Sequence, residues 1–243
     1  MNERLQAIYE PKGKAAEYAK WACNLYAGCT HGCTYCYAPL VLRRDRAEFH
    51  SQCTERPGIL DKLRHDAKLI AEQGGLNDPV LFCFTSDPYQ PGAHATRAAL
   101  SIMREFDIQF SVLTKGVNAN RDLDLYGKDD LFGVTLTLTN PEDQRVWEPG
   151  AASTIRRVWL LREAHERHIR TWVSLEPVIY PEQTLRLIDL THDYVEHYAV
   201  GKLNYHPLAK TIDWAKFLRD VLAKLKQCGN SYYIKQDLVE YEQ

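Results

Sequence analysis

The stretch "NLYAGCTHGCTYCYAP", Asn24 to Pro39, holds three of the seven cysteines of this 243-residue chain: Cys29, Cys33 and Cys36. Cysteines spaced this tightly can wrap three thiolates around one face of a small inorganic cluster, and iron–sulfur sites use comparable spacings, usually with a fourth cysteine. The missing fourth is informative. A [4Fe–4S] cluster held by three thiolates leaves one iron open, and a catalytic metal needs an open coordination position. Zinc is the rival reading, because His31 lies inside the loop and Cys₃His is an established structural set. Zinc sites usually place two ligand pairs on separate turns, whereas here all four donors would come from one short segment. Thr30, His31, Gly32 and Thr34 make the loop polar, which argues against three cysteines buried only for packing.

Working outward, the other cysteines (Cys23, Cys53, Cys83 and Cys228) are scattered and the total is odd. That is not a disulfide framework, and it predicts a reduced, cytoplasmic setting. A formal net charge of −2 excludes the broadly basic surface of a non-specific DNA coater, without excluding a nucleic-acid partner. No apolar run is long enough to span a membrane, and the opening "MNERLQAIYEPKGK" lacks the apolar core of a secretory signal.

Beyond the cysteines, β-rich apolar runs alternate with helical patterns. Residues 79–86, 108–115, 132–138, 169–177 and 195–203 read as buried strands, each short and rich in β-branched or aromatic residues. Between them, Leu63, Ala67 and Ile70 share one helical face, and Trp214, Leu218, Val221 and Leu225 share another. Ile155, Val158, Trp159 and Ala164 form a third apolar set, assigned to core packing. With "WACNLYAG" (21–28) as an opening strand, about six βα units result, which implies a parallel sheet with right-handed crossovers. The cysteine loop, 26–39, takes too much of the length for a complete eight-fold barrel. The expectation is therefore an α/β chain folded as a partial (β/α)₆ TIM-like barrel, one domain over 1–243, with an added strand or ordered tail over about 229–243.

"CTHGCTYC", with Tyr35 before the last cysteine, resembles the signature of the radical S-adenosylmethionine (SAM) superfamily. "FTSDPYQP" (Phe84–Pro91), "ATR" (Ala95–Arg97), "LTK" (Leu113–Lys115) and "WEPGAASTIRR" (Trp147–Arg157) are similar, in order, to its spore photoproduct lyase-like branch. "WVSLEP" and "YYIKQ" resemble pieces of a phage-encoded group. The resemblance implies a [4Fe–4S] cluster on Cys29, Cys33 and Cys36, with SAM on the open iron, cleaved by one electron to a 5′-deoxyadenosyl radical. It also implies that Ser86 contacts SAM, that Lys115 reaches the SAM carboxylate, and that Thr135 lies near the SAM ribose. Tyr35 and Tyr37 bracket Cys36 as two tyrosines do in the lyases, where the second is linked to radical transfer. Ser86, Lys115 and Glu176 also fall at C-terminal strand ends, where α/β sheets place their chemistry, and Glu176 is assigned to the cofactor side with them. The bland alternatives are a solvated loop lysine for Lys115, and a helix N-cap before residues 92–106 for Ser86 or Asp87.

One departure bears on the reaction. The repair lyases carry a hydrogen-donating cysteine immediately before Thr-Ser-Asp, whereas here Phe84 stands there and Cys83 lies one residue earlier. Side chains alternate along a strand, so Cys83 should face away from the site unless a bulge re-aims it. The substrate expectation is a thymine-derived nucleobase in DNA, flipped into the site, in lyase- or isomerase-type chemistry such as phage DNA hypermodification. Arg43, Arg44 and Arg46 are candidate phosphate contacts, and a flavodoxin- or ferredoxin-type protein is the expected reductant. A peptide or small-metabolite substrate is the first alternative, and a non-catalytic metal-stabilised binding module the second.

Overall fold

A computed structural model describes residues 4–242. The strands are β1 (Ile8–Tyr9), β2 (Trp21–Cys23), β3 (Tyr26–Ala27), β4 (Thr54–Glu55), β5 (Val80–Phe82), β6 (Phe110–Thr114), β7 (Leu131–Thr135), β8 (Arg170–Val178), β9 (His197–Lys202) and β10 (Ser231–Ile234). Among the described residues one eight-stranded sheet runs in the order β1-β2-β5-β6-β7-β8-β9-β10. Every pairing from β2 to β10 is parallel, and only β1 is antiparallel, against β2. The two edges do not meet, so the barrel is partial, as expected. β3 and β4 pair separately and clip the start of the cysteine loop to the chain that follows it.

Crossovers between parallel strands need a dozen or more residues. They are supplied by α1 (Ile59–Glu72), α2 (Thr96–Glu105), a 3₁₀ segment at Asn118–Leu125, α3 (Thr154–Glu166), α4 (Pro181–Thr191) and α5 (Trp214–Cys228). Strand alternation sorts the sheet into two faces. Val80, Phe82, Val112, Val134 and Val173 pack outward in the main core. Leu81, Trp172 and Ala199 point inward, with Tyr18, Phe84 and Leu113 packed on them. The five strand expectations each contain a parallel strand, and the run at 229–243 contributes the parallel edge strand β10. β1 is too short, at two residues, to register as an alternating pattern.

The helical stripes hold in α1, which buries Leu63, Ala67 and Ile70, and in α5, which buries Trp214, Leu218, Val221 and Leu225. In α3 the expected set splits. Ala164 is buried and Val158 packs against the core, but Ile155 is 77% and Trp159 54% exposed, while Arg157, Leu160 and Leu161 are buried. The cause is electrostatic. Arg157 pairs with the Glu148 carboxylate, both side chains being fully buried, and also donates to the Thr135 carbonyl at 2.6 Å. A buried carboxylate without its partner would cost several kcal/mol, more than the apolar area that Ile155 and Trp159 leave in water. The helix therefore turns its guanidinium inward. The expected helix over 92–106 begins only at Thr96, and its N-cap position is Ala95, so neither Ser86 nor Asp87 caps it.

Removing Arg157 alone strands a buried charge. Arg157→Met is expected to cost about 3–5 kcal/mol in urea unfolding, whereas Trp159→Ser on the outer face should stay within about 0.5 kcal/mol.

Candidate active site

The C-terminal ends of the parallel strands open into a cavity of about 480 Å³, lined by Cys29, Cys33 and Cys36 from the loop and by residues of β5 through β9. The loop is anchored at several points. Cys29 N–H donates to the Phe49 carbonyl at 3.1 Å, and Cys36 N–H to the Cys33 carbonyl at 3.1 Å. Gly28 holds φ at 79°, and a Cβ there would lie 2.2 Å from the Gln52 carbonyl oxygen, so only glycine allows this approach. Arg46 donates to the carbonyls of Cys33 (3.1 Å) and Cys36 (2.6 Å), so its guanidinium braces the loop instead of reaching for phosphate.

The stretch Trp147–Arg157 clamps this loop to the sheet. Thr34 N–H donates to Trp147 O (2.9 Å), Gly150 N–H to His31 O (2.8 Å) and Ala152 N–H to Lys115 O (2.9 Å). At its centre Glu148 accepts from the Tyr35 hydroxyl and from Thr137 Oγ1 (2.9 Å) while pairing with Arg157. Burial opposes charge on Glu148, but Arg157 and Lys115 overcome it and its pKa is lowered. Tyr35 thus serves as a strut between the cysteine loop and the buried pair, and its ring lies 5.7 Å from the Lys115 ammonium.

Lys115 stands at the end of β6, in the cavity wall. Burial works against its charge, but Cys33, Glu148 and Asp87 raise its pKa on balance; half-buried in that wall, it is not a solvated loop lysine. Asp87 fixes that strand end by accepting from Lys115 N–H (2.7 Å), Thr114 Oγ1 (2.6 Å) and Tyr89 N–H (2.8 Å). His31, 2% exposed, turns its Nδ1 to Asp87 Oδ2 at 3.5 Å. That engagement draws the imidazole away from a Cys₃His set. Among the described residues no three His, Cys, Asp or Glu side chains converge tightly enough for a single metal ion.

The remaining candidates also line the cavity: Tyr37, Cys83, Ser86, Thr135 and Glu176. The Tyr37 hydroxyl donates to the Phe84 carbonyl at 3.0 Å. Cys83 sits at φ of 70°, a left-handed kink that breaks the alternation after β5. Cys83 belongs to the main core cluster, its thiol meets the Leu25 N–H and the Ser86 side chain, and burial pushes that thiol up to about 12. Phe84 takes the inward place, edge-on to Tyr18 at 6.0 Å. Glu176 belongs to a second polar group, facing Tyr18, Ser174 and Lys235 and not the cysteines. Sequence reasoning missed Tyr18, Glu148, Arg157 and Lys235 as individual residues. The quoted "WEPGAASTIRR" and "YYIKQ" contain three of them, and a lysine ending a strand was the very signal used for Lys115.

Residues 23–195 match the Radical SAM superfamily, and the chain belongs to that superfamily. Relatives include an uncharacterized protein of Methanocaldococcus jannaschii, 25% identical over 66% of this chain and 61% of that one. Another, from Acidianus two-tailed virus, is 25% identical over 67% of this chain and 57% of that one. The chain thus spans about three fifths of the length of these curated relatives. The fold is similar to that of a spore photoproduct lyase variant with bound AdoMet and dinucleoside spore photoproduct, with a TM-score of 0.72 over 96% of this chain and 80% of that one at 16% identity. It is also similar to Streptococcus suis SuiB bound to S-adenosylmethionine, with a TM-score of 0.66 over 91% of this chain and 48% of that one at 13% identity.

The cofactors of the superfamily are a [4Fe–4S] cluster and SAM, and the residues present fit both. Cys29, Cys33 and Cys36 are free thiols in one cavity wall. Beside them Thr85 Oγ1 is buried without a protein hydrogen bond, as expected of a group that awaits a polar ligand, and Ser86 Oγ has only the Cys83 thiol for company.

Alanine at Cys29, Cys33 or Cys36 is expected to abolish iron and sulfide in anaerobic preparations, against about four of each in the parent. His31→Ala should retain both, and zinc without sulfide in the parent would refute the assignment. Lys115→Met should keep its iron but bind SAM about 10- to 150-fold more weakly by equilibrium dialysis, the loss of one charge-assisted hydrogen bond.

Proposed function

We propose that this radical SAM enzyme abstracts hydrogen from a thymine-derived nucleobase in DNA, in a lyase- or isomerase-type reaction. The observation that carries this reading is the charge of the cavity. Lys12, Lys14, Lys115 and Lys202 line it against only Asp87 and Glu176, in a chain whose net charge is −2. Such local concentration of positive charge suits a substrate tethered to phosphates. A base leaving its stack costs a few kcal/mol, and a cavity open at the strand ends gives it somewhere to go. The likeness of fold to a lyase holding a dinucleoside photoproduct is consistent with this reading.

When bound, the cluster and SAM supply reductive cleavage to a 5′-deoxyadenosyl radical, the electron coming from a flavodoxin- or ferredoxin-type donor. The chain's own residues orient the partners. Lys115 takes the SAM carboxylate, Ser86 and Thr135 flank the rest of SAM, and Tyr35 holds the loop. Tyr37, 45% exposed at the cavity, stands where cofactor and substrate meet. Cys83 is turned into the core, so the substrate radical rearranges, eliminates or recovers hydrogen from 5′-deoxyadenosine without a thiol from β5. A peptide substrate is the second reading, favoured by the likeness of fold to SuiB bound to precursor peptide SuiA, with a TM-score of 0.66.

Anaerobically reconstituted protein with a reductant should release 5′-deoxyadenosine faster with thymine-containing DNA than with thymine-free DNA. Turnover indifferent to DNA would overturn the proposal and leave the peptide reading. Cys83→Ala should retain most activity on the true substrate, and authentic spore photoproduct should be a poor substrate. Rapid repair of that dimer, abolished by Cys83→Ala, would restore the thiol to the mechanism.

A further inference from the structure

The cavity contains two polar groups that do not touch. Around the cysteines stand Lys115, Asp87, Tyr35 and Glu148. Across from them Glu176 lies two residues before the end of β8, its Oε2 accepting the Tyr18 hydroxyl, which also meets Ser174 Oγ at 2.9 Å. Behind this pair, and not in the cavity wall, lies Lys235, 2% exposed, with its ammonium 3.3 Å from the centre of the Tyr18 ring and 3.9 Å from Glu176 Oε2. The fold makes room for this carboxylate: a Cβ on Gly201 would lie 2.7 Å from Glu176 Cδ and 2.9 Å from Oε1. Among the described residues Oε1 accepts no protein hydrogen bond, and the Glu176 side chain keeps 23% of its surface accessible. At the rim, Lys14 is tied to Asp237 at 2.7 Å, whereas among the described residues Lys12 and Lys202 line the cavity without a carboxylate partner, Lys202 donating instead to the Tyr241 hydroxyl at 3.2 Å.

SAM needs the cysteines, Lys115 and Ser86, so the second group is left to the substrate. Its chemistry is specific. Burial raises the pKa of Glu176, with Lys235 and the Tyr18 hydroxyl opposing that rise; in its ionised form the carboxylate only accepts hydrogen bonds. It therefore selects a donor and repels a ring nitrogen that presents a lone pair. Resting on the nucleobase reading above, we infer that Glu176 is the substrate-selecting carboxylate: its Oε1 accepts the ring N–H of a thymine-, uracil- or guanine-type base while Lys12 and Lys202 hold flanking phosphates. Lys235 is a positioning residue that acts through Glu176 and Tyr18 without touching the base. Cytosine-type bases, whose ring nitrogen is an acceptor at that edge, can offer this carboxylate only the exocyclic amine and are disfavoured by lone-pair repulsion at the ring nitrogen.

The test uses the reconstituted holoenzyme with SAM and three single-stranded pentadeoxynucleotides: all cytosine, with one central thymine, and with one central N3-methylthymine. Equilibrium dialysis should show the thymine oligomer binding at least tenfold more tightly than either of the others. Glu176→Gln should compress that ratio severalfold or more. Lys235→Met should compress it as well, with Lys235→Arg restoring it, whereas a purely structural lysine would change all three affinities together. Lys12→Ala and Lys202→Ala should weaken all three oligomers alike. If the oligomers bind but N3-methylation makes no difference in the parent protein, the role given to Glu176 is overturned and the nucleobase reading survives. If none of them binds, the nucleobase reading falls and the inference with it. The N3-methyl comparison needs no variant, so poor folding of a Glu176 substitution does not blunt the outcome.

Discussion

The buried pair of Glu148 and Arg157 is the contact on which the rest of the site depends. A buried carboxylate is tolerated only when its oxygens are satisfied, and here Tyr35, Thr137 and Arg157 do so together. The three donors come from the cysteine loop, from the segment after β7 and from α3. A single acid thus ties the loop to the sheet and sets the rotation of the helix behind it. Because a long loop over the strand ends buries little apolar surface of its own, its geometry has to come from such polar ties and from the backbone bonds around Trp147, Gly150 and Ala152.

The same arrangement sets the electrostatics of the cavity. Burial raises the pKa of each cluster-loop thiol in the free protein, Cys33 to about 12. Lys115 opposes that rise at Cys33 and Cys36. The loop is therefore poised to ionise on a soft cation and not in water. On the proposed reading Lys115 would serve two ends at once, as a counter-charge for the thiolates and as the anchor for the SAM carboxylate. Asp87 makes this dual use workable by fixing the Lys115 backbone while leaving its ammonium free of a short carboxylate bond.

What the sequence displayed clearly was whatever depends on a repeated pattern. The parallel strands are continuous apolar runs because both of their faces are buried, and the stripes of α1 and α5 follow the helical period. The cysteine spacing was legible for a different reason, since few other structures need three thiols so close together. The exceptions are places where one polar contact overrides a pattern. In α3 the apolar set Ile155 and Trp159 lost to a single arginine whose partner lies nine residues earlier in a loop. Tyr18 and Lys235 come from opposite ends of the chain and meet only because β2 and β10 belong to the same curled sheet. No local pattern encodes such a meeting.

Cys83 shows most sharply how one backbone torsion can decide chemistry. Regular alternation from Leu81, which points inward, would carry residue 83 inward as well, and residue 84 outward. The left-handed turn at Cys83 reverses this, sending the thiol to the outer core and the Phe84 ring to Tyr18. A β-carbon in that region is disfavoured, so the turn persists only because neighbouring contacts hold it, among them Cys83 N–H on the Cys23 carbonyl at 2.9 Å. The kink places Cys83 in the main core cluster while it still borders the cavity, an arrangement that simple strand alternation does not describe. Alternation alone would have pointed it in, and the kink turns it out. An aromatic ring now occupies the wall where a thiol could quench a carbon radical. In the proposed reaction a radical formed there would face the Phe84 ring beside the tyrosines of the cavity wall, Tyr18, Tyr35, Tyr37 and Tyr205.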